Sequence, residues 1–301
     1  MGDGQKAKTR NDNRDARSNS SPITHRRSDE TNRLDRTFAR LKDRREKALI
    51  AYLMAGDPSL ADTEQLVVAL EQAGADIIEL GVPFSDPIAD GPVIQQAAER
   101  ALRNGTSLKQ VLAAVTSLRQ RTQIPLVLML YYNSMYAMGL EAFCRAAGDA
   151  GIDGLIVPDM PPDEAGPLRT CAMAAGLRVV YLLAPTSTAA RRTYVAKESQ
   201  GFLYYVSLTG ITGAKIQNMS EVGTNVEKIR KITTTPIAVG FGVSTPEDAA
   251  QVAALADGVI VGSAIVKQIA AHQQQSDMVS AVAAFVGSLK QAIQSGSTAH
   301  T

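Results

Sequence analysis

Residues Asp76–Pro92 read DIIELGVPFSDPIADGP, an apolar strand followed by a loop rich in proline and glycine. A carboxylate, Glu79, lies in the middle of the apolar run. A charged group inside a protein is costly unless it is paired or its pKa shifts. The loop adds two more carboxylates, Asp86 and Asp90. This pattern is typical of an acid–base site at the C-terminal end of a strand; the alternative is a strand residue in a salt bridge with a neighbour.

The same alternation of strand and helix continues along the chain. Residues 33–46 predict a charged helix with one apolar stripe. Near-continuous apolar runs, typical of strands buried on both faces, then predict eight strands. They are 48–54, 76–81, 125–131, 153–157, 178–184, 202–207, 236–240 and 257–261. Helices are predicted between and after them, at 60–73, 92–103, 107–121, 139–150, 163–175, 188–199, 220–231 and 246–255, near Ser263, and in a final segment around 279–293.

Repeated strand–helix units imply a parallel sheet with right-handed connections. Eight units predict an α/β fold that closes into a (β/α)8 TIM barrel, with one extra helix at its N-terminus and an active site at the C-terminal ends of the strands. An open doubly wound sheet is the alternative, but no G-x-G-x-x-G follows the first strand.

Composition narrows the classes of function. The chain has 301 residues, is 45% hydrophobic and has a formal net charge of +1. This balance gives no electrostatic basis for a nucleic-acid or membrane partner. The two cysteines, Cys144 and Cys171, lack C-x-x-C spacing and indicate a reducing, cytoplasmic location.

Domain organisation also follows from composition. Residues 1–30 hold seven Lys or Arg, five Asp or Glu and few apolar residues, so we predict a disordered polar tail. The tail has no apolar core of a secretory signal. The barrel is predicted to span 31–295 as the catalytic domain, and 296–301 to form a disordered C-terminus.

Several kinds of catalysis are disfavoured by residue placement. His25, His272 and His300 lie in polar segments, which argues against a histidine metal site or a histidine-activated nucleophile. No predicted strand contains the lysine that a Schiff-base aldolase requires, and Lys215 lies in a loop. No metal is therefore expected, and acid–base chemistry falls to carboxylates or tyrosine.

Glycine-rich loops follow the last three predicted strands. They cover 208–213, 240–244 and 262–265, and the third opens a short helix at Ser263. Glycine lets backbone N–H groups approach phosphate oxygens, and a helix start adds free N–H groups. Barrels of this class commonly bind phosphate at this position. The sequence therefore predicts a phosphorylated substrate.

The motifs ELGVPFSDPIADGP, SLTGITGA, VGFGVSTPEDA and VGSAIVK together resemble the tryptophan synthase alpha chain family, from about residue 33 to 293. The resemblance implies retro-aldol cleavage of indole-3-glycerol phosphate to indole and glyceraldehyde 3-phosphate. It implies that Glu79 is the main acid–base residue, that Asp90 binds the indole N–H, and that Tyr204 is the active-site tyrosine. It further implies the phosphate-binding residues Gly213, Gly242, Val243, Gly262 and Ser263. The implied indole pocket consists of Tyr52, Met129, Tyr131 and Ile156; for these residues core packing is the alternative.

The resemblance also implies a partner. Family members pair with a beta chain that carries pyridoxal phosphate (PLP), forming an α2β2 tetramer that passes indole onward for tryptophan synthesis from serine. No cofactor is expected in this chain itself. Leu208 departs from an arginine found in some members, which bears on closure of its loop. A phosphate-sugar isomerase on the same barrel, or a catalytically silent barrel that activates a partner, remains as an alternative.

Overall fold

The structure is a computed structural model that describes residues 1–2, 32–206, 219–240 and 242–298, with 296–298 as backbone only. Two predicted functional positions, Leu208 and Gly213, lie outside the described residues, as does most of the N-terminal tail. The domain boundaries at 30 and 295 remain predictions. The last helix runs to Thr298.

In the described part of the chain, nine short strands form a single parallel sheet. Their hydrogen-bonded order is β5-β4-β3-β2-β1-β9-β8-β7-β6. Their bounds are β1 Ala48–Met54, β2 Ile77–Gly81, β3 Leu126–Met129, β4 Gly154–Ile156, β5 Arg178–Val180, β6 Leu182–Leu183, β7 Leu203–Val206, β8 Ile237–Gly240 and β9 Gly258–Val261.

The two ends of this order belong to one run of chain. β5 pairs with β4, β6 pairs with β7, and only Tyr181 separates β5 from β6. The Tyr181 carbonyl accepts a hydrogen bond from the Tyr204 N–H at 3.1 Å, which continues the pairing with β7. The sheet therefore closes, and the predicted (β/α)8 barrel is confirmed. The strand predicted over 178–184 is divided because the chain changes neighbour at Tyr181.

Helices follow the strands as predicted, with one addition. Their bounds are α1 Arg33–Asp43, α2 Leu60–Gln72, α3 Pro92–Arg103, α4 Leu108–Leu118, α5 Tyr132–Tyr136, α6 Leu140–Ala150, α7 Gly166–Ala174, α8 Ala189–Glu198, α9 Met219–Arg230, α10 Pro246–Leu255, α11 Ser263–His272 and α12 Met278–Thr298. The five-residue helix α5 was not predicted, since it is too short to show a helical period. Local capping explains several starts; at α10, Thr245 and Asp248 form a capping box and Pro246 occupies the first turn.

Strand residues alternate between two buried environments. On β1, Ala48 and Ile50 face the barrel interior, whereas Leu49, Ala51 and Leu53 pack in the layer between sheet and helices. Both faces are apolar because both are covered, which explains the near-continuous apolar runs.

Helix α1 closes the N-terminal end of the barrel. Its apolar stripe, Leu34, Phe38 and Leu41, belongs to the same buried cluster as the interior strand residues. The rings of Phe38 and Phe202 lie 5.7 Å apart between centroids. A Cβ on Gly154 would lie 2.9 Å from Leu34 Cδ1, so a glycine on β4 makes room for this helix. In the described part of the chain, no helix has the length and apolarity needed to cross a membrane.

Candidate active site

A cavity of about 190 Å³ lies at the C-terminal ends of the strands. Nine of the predicted site residues line it, namely Tyr52, Glu79, Asp90, Met129, Tyr204, Gly242, Val243, Gly262 and Ser263. Seven further residues line it that were not predicted, namely Ile94, Ser244, Ile260, Ala264, Lys267, Gln268 and Phe285. Residues from separate strands and loops therefore meet at one cavity.

Glu79 lies at the centre of β2 and is almost fully buried, with 1% of its surface exposed. None of the ion pairs among the described residues includes it, and its Oε2 atom has no hydrogen-bond partner there. The salt-bridge alternative is therefore not supported by the described residues. Burial, and then the charge of Asp90, raises the pKa of Glu79 to about 8. A protonated carboxyl at neutral pH is equipped to donate a proton.

Asp90 reaches the cavity from the loop between β2 and α3. Its backbone N–H donates to the Pro87 carbonyl at 3.0 Å, and its own carbonyl accepts from Gln95 Nε2 at 2.8 Å. Burial raises the pKa of Asp90 to about 6, and a hydrogen bond from the Tyr131 side chain opposes that rise. Burial therefore favours the protonated form of Glu79 more strongly than that of Asp90. Asp86, on the same loop, is exposed, bonds to Ser85 and does not line the cavity.

Two tyrosines form much of the cavity wall, and each stands over a glycine at a strand end. A Cβ on Gly81 would collide with the ring and hydroxyl of Tyr52. A Cβ on Gly240 would lie 2.6 Å from the Tyr204 hydroxyl. Burial, together with the charges of Glu79 and Asp90, raises the pKa of both tyrosines well above their ordinary value. Both hydroxyls therefore stay protonated and can donate hydrogen bonds.

The part of the cavity between these two tyrosines, formed by the segments after β8 and β9, suits an anion. Gly242 has a φ of 82°, a backbone conformation that favours glycine. Gly262 is the N-cap of α11 and makes no side-chain cap hydrogen bond, so the first N–H groups of α11 are left for a ligand. Lys267 follows one turn later and is the sole cation among the described residues that line the cavity. Helical side chains lean toward the N-terminus of their helix, which directs Lys267 back toward Ser263.

The remaining predicted site residues lie elsewhere. Ile156 is fully buried in the interior cluster of the barrel and does not line the cavity. Tyr131 is also absent from the lining; its ring stacks on Phe84, and its hydroxyl accepts a hydrogen bond from the Ala89 N–H. Gly213 lies outside the described residues. In the part of the chain that the structure describes, no group of three or more His, Cys, Asp or Glu could hold a metal ion.

Lys267 is the one charged residue among the seven lining residues that were not predicted from the sequence. Its position, four residues after the predicted phosphate ligand Ser263, places it on the same face of the helix. That spacing within VGSAIVK was the available indication that Lys267 lies near Ser263.

Comparison with known proteins gives the family. The family model for the tryptophan synthase alpha chain matches residues 38–294. The tryptophan synthase alpha chain of Geobacter sulfurreducens is 51% identical over 261 residues, which cover 87% of this chain and 98% of that protein. That of Geotalea daltonii is 50% identical over 258 residues, covering 84% and 98% of the two chains.

Solved structures agree with this result. The crystal structure of tryptophan synthase subunit alpha from Legionella pneumophila has a TM-score of 0.82 and 40% identity, and the match covers 88% of this chain and 99% of that one. A structure of Mycobacterium tuberculosis tryptophan synthase gives a TM-score of 0.80 at 37% identity, with 88% and 99% coverage. The chain described here belongs to the tryptophan synthase alpha chain family, the carbon–carbon lyases that cleave indole-3-glycerol phosphate in tryptophan biosynthesis.

Proposed function

We propose that Glu79 is the acid–base residue of this cleavage and that Asp90 stabilises the positive charge that forms on the indole ring. One observation carries the proposal: a buried carboxyl group, Glu79, and a half-buried one, Asp90, line one cavity, and their pKa values are raised to different extents, to about 8 and about 6. At pH 7 the first is mainly protonated and the second mainly ionised. Two such groups in one site are suited to different roles.

The proton balance of the reaction suits one shuttling carboxyl group. The Glu79 carboxyl first donates its proton to C3 of the indole ring, and the ring becomes a cation. The resulting carboxylate then removes the proton from the hydroxyl on the adjoining glycerol carbon. The O–H electrons form the aldehyde, the C–C bond breaks, and its electrons neutralise the ring. Glu79 ends protonated, ready for another turnover.

Asp90 contributes most when the ring is charged. A carboxylate near the indole N–H makes a stronger interaction with the cationic intermediate than with the neutral substrate. Such an interaction lowers the barrier because it strengthens along the reaction path. Tyr204, a buried hydroxyl donor on the cavity wall, is proposed to orient the glycerol portion of the substrate. Tyr52 and Met129, with the unpredicted Ile94, supply apolar surface for the indole ring.

Phosphate binding is proposed for the glycine-rich side of the cavity. Backbone N–H groups near Gly242, Val243, Gly262 and Ser263 suit phosphate oxygens, and Gly213 remains a predicted ligand. We add Lys267, because a dianion entering a cavity with two carboxyl groups needs a compensating positive charge.

The partner belongs to the same proposal. A PLP-carrying beta chain is proposed to bind at the face where the cavity opens, forming an α2β2 tetramer that receives indole. Three exposed apolar side chains on that face support it, namely Ile88 (82% exposed) on the loop after β2, and Tyr136 (66%) and Met138 (37%) after β3. A reducing cytoplasmic location is supported by the free thiols of Cys144 and Cys171.

The test is a direct assay with matched variants. Purified chain is incubated with indole-3-glycerol phosphate, and indole and glyceraldehyde 3-phosphate are measured. Wild type is expected to form both in equal amounts, whereas Glu79→Gln and Asp90→Asn lose activity with their folds intact. Asp86→Asn removes an exposed carboxylate from the same loop and serves as the control with activity near wild type. Full activity in Glu79→Gln or Asp90→Asn would contradict the assigned role.

A further inference from the structure

Tyr131 lies two residues after the end of β3 and is the N-cap residue of the short helix α5. It is buried, with 4% of its surface exposed, yet it does not line the cavity. A buried tyrosine needs a partner for its hydroxyl. The partner here is the loop that carries Asp90.

Two contacts join Tyr131 to that loop. The Tyr131 ring stacks on Phe84, with centroids 5.2 Å apart and planes inclined by 25°. Its hydroxyl accepts a hydrogen bond from the Ala89 N–H at 2.9 Å. The Asp90 side chain, one residue further along the loop, is near enough to this hydroxyl for the hydroxyl to lower its pKa. One side chain therefore contacts the beginning and the end of the loop.

The loop has few other attachments among the described residues. Within it, the Ile88 N–H donates to the Asp86 carbonyl at 2.9 Å, and Ile88 itself is largely exposed. Gln95 of α3 holds the Asp90 carbonyl but leaves the Asp90 side chain unconstrained. The direction of the carboxyl group therefore depends on a second attachment.

We propose that Tyr131 is a positioning residue: its hydroxyl joins the loop after β2 to the end of β3 and holds the Asp90 carboxyl at the cavity. The inference rests on the proposed role of Asp90. It assigns Tyr131 to loop positioning rather than to the wall of the indole pocket.

The arrangement also bears on the charge of Asp90. The titratable groups that face it are Glu79 on β2, Tyr52 on β1, Tyr204 on β7 and Tyr131 itself. Asp159, which accepts the Tyr132 N–H at 2.9 Å, adds negative charge near Tyr131. Among these groups, Tyr131 is the one whose hydrogen bond lowers the pKa of Asp90. Its removal should therefore raise that pKa and leave less Asp90 ionised at neutral pH.

Tyr131→Phe is the informative variant, because it keeps the ring on Phe84 and deletes only the hydroxyl. We expect kcat to fall about 10- to 100-fold with KM changed much less, since a displaced catalytic group costs activity on this scale. The acidic limb of the pH–rate profile should move to higher pH. Tyr132→Phe, the same change at the next residue, is the control and should leave both quantities unchanged.

A structural role alone would lower the melting temperature without moving the acidic limb, and that outcome would overturn the proposal. Wild-type kcat in Tyr131→Phe would also overturn it.

Amide hydrogen exchange gives a second measurement that needs no activity. The Ala89 amide should exchange slowly in wild type and faster in Tyr131→Phe, and equal rates would count against the proposal. Asp90→Asn separates the two hypotheses. If it keeps full activity, the role of Asp90 fails; if it is inactive while Tyr131→Phe is wild type, only the role of Tyr131 fails.

Discussion

Tyr52 and Glu79 are register partners on the neighbouring strands β1 and β2, and the Tyr52 ring covers Gly81 two residues beyond Glu79. The glycine therefore fixes where the tyrosine lies, and the tyrosine in turn walls off the carboxyl group. Because residue 81 has no side chain, Tyr52 can lie beside Glu79 and help to bury it, and burial raises the pKa of Glu79.

Gly81→Ala tests this relationship. A methyl group there would force Tyr52 out of its position, and overpacking of this kind costs about 1–3 kcal/mol. We expect a lower melting temperature and at least a tenfold loss of cleavage activity, measured by calorimetry and by indole release. Gly166→Ala is the control, because a Cβ at Gly166 meets nothing within 4 Å. Unchanged activity in Gly81→Ala would show that Tyr52 can move without consequence.

Glu79→Gln should lower the cleavage activity without lowering the stability of the fold. Loss of proton transfer should lower kcat by about 10²–10⁴-fold. The raised pKa of Glu79 means that the native state retains its proton between about pH 4.5 and 8 while the unfolded chain releases it. Its contribution to stability is thus full below the unfolded pKa and is lost as the pH rises through about 8.

Glutamine avoids that loss, so the variant should gain stability relative to wild type at pH 8 and show little gain near pH 4.5. Urea unfolding of both proteins at the two pH values measures the difference. A gain that is equal at both values would contradict the raised pKa.

The pH dependence of wild-type cleavage should be bell-shaped. Activity needs Asp90 ionised and Glu79 protonated, so kcat/KM should fall below about pH 6 and above about pH 8. Initial rates at limiting substrate between pH 5 and 9.5 test this expectation. A profile without an alkaline limb would remove Glu79 from the role of proton donor.

Lys267→Gln should weaken substrate binding more than catalysis. Loss of one charged contact to phosphate is expected to raise KM by about tenfold or more, with kcat nearly unchanged. The salt dependence of KM should also become shallower. Lys109→Gln, at an exposed position on α4, changes the net charge equally and is the control. If both variants behave alike, Lys267 acts only through overall charge.

Partner binding can be tested at the exposed tyrosine after β3. Tyr136→Ser should leave cleavage by the isolated chain near wild type and weaken both the affinity for the beta chain and any stimulation by it. Met173→Ser is a matched control, because Met173 is 64% exposed but lies at the end of α7, toward the opposite end of the barrel. Titration of beta chain into each variant, followed by calorimetry, gives the affinities. Equal affinity in both variants would place the interface elsewhere.

Much of the fold was predictable because the strands are apolar on both faces. Strand β1 was predicted with its observed bounds, 48–54, since every one of its residues is buried. Helix α5 was missed because one helical turn shows no periodicity. The division of the strand at Tyr181 was missed because barrel closure depends on how distant strands pair, which local sequence does not specify.

Site residues were predictable from the sequence where a charged side chain lies in or next to an apolar stretch. Glu79 stands out as a carboxylate within an apolar strand, and Asp90 as a carboxylate on the following loop. The family resemblance implied that Ile156 lines the indole pocket; its register partner Met129 lines the cavity, whereas Ile156 does not. Tyr131, which the resemblance also placed in that pocket, contacts the loop after β2 instead, and a family motif does not specify such a contact.

Helix α1 covers the N-terminal end of the barrel, so the cavity is closed at that end by described residues. Among the described residues, Leu34, Phe38 and Leu41 fill the N-terminal end of the barrel, so in the proposed reaction the substrate would enter, and both products would leave, at the C-terminal ends of the strands. A partner bound over the C-terminal ends of the strands would control both substrate entry and product release. The aldehyde and the indole would then leave through the same opening. The order in which they are released would depend on the complex and not on the barrel alone.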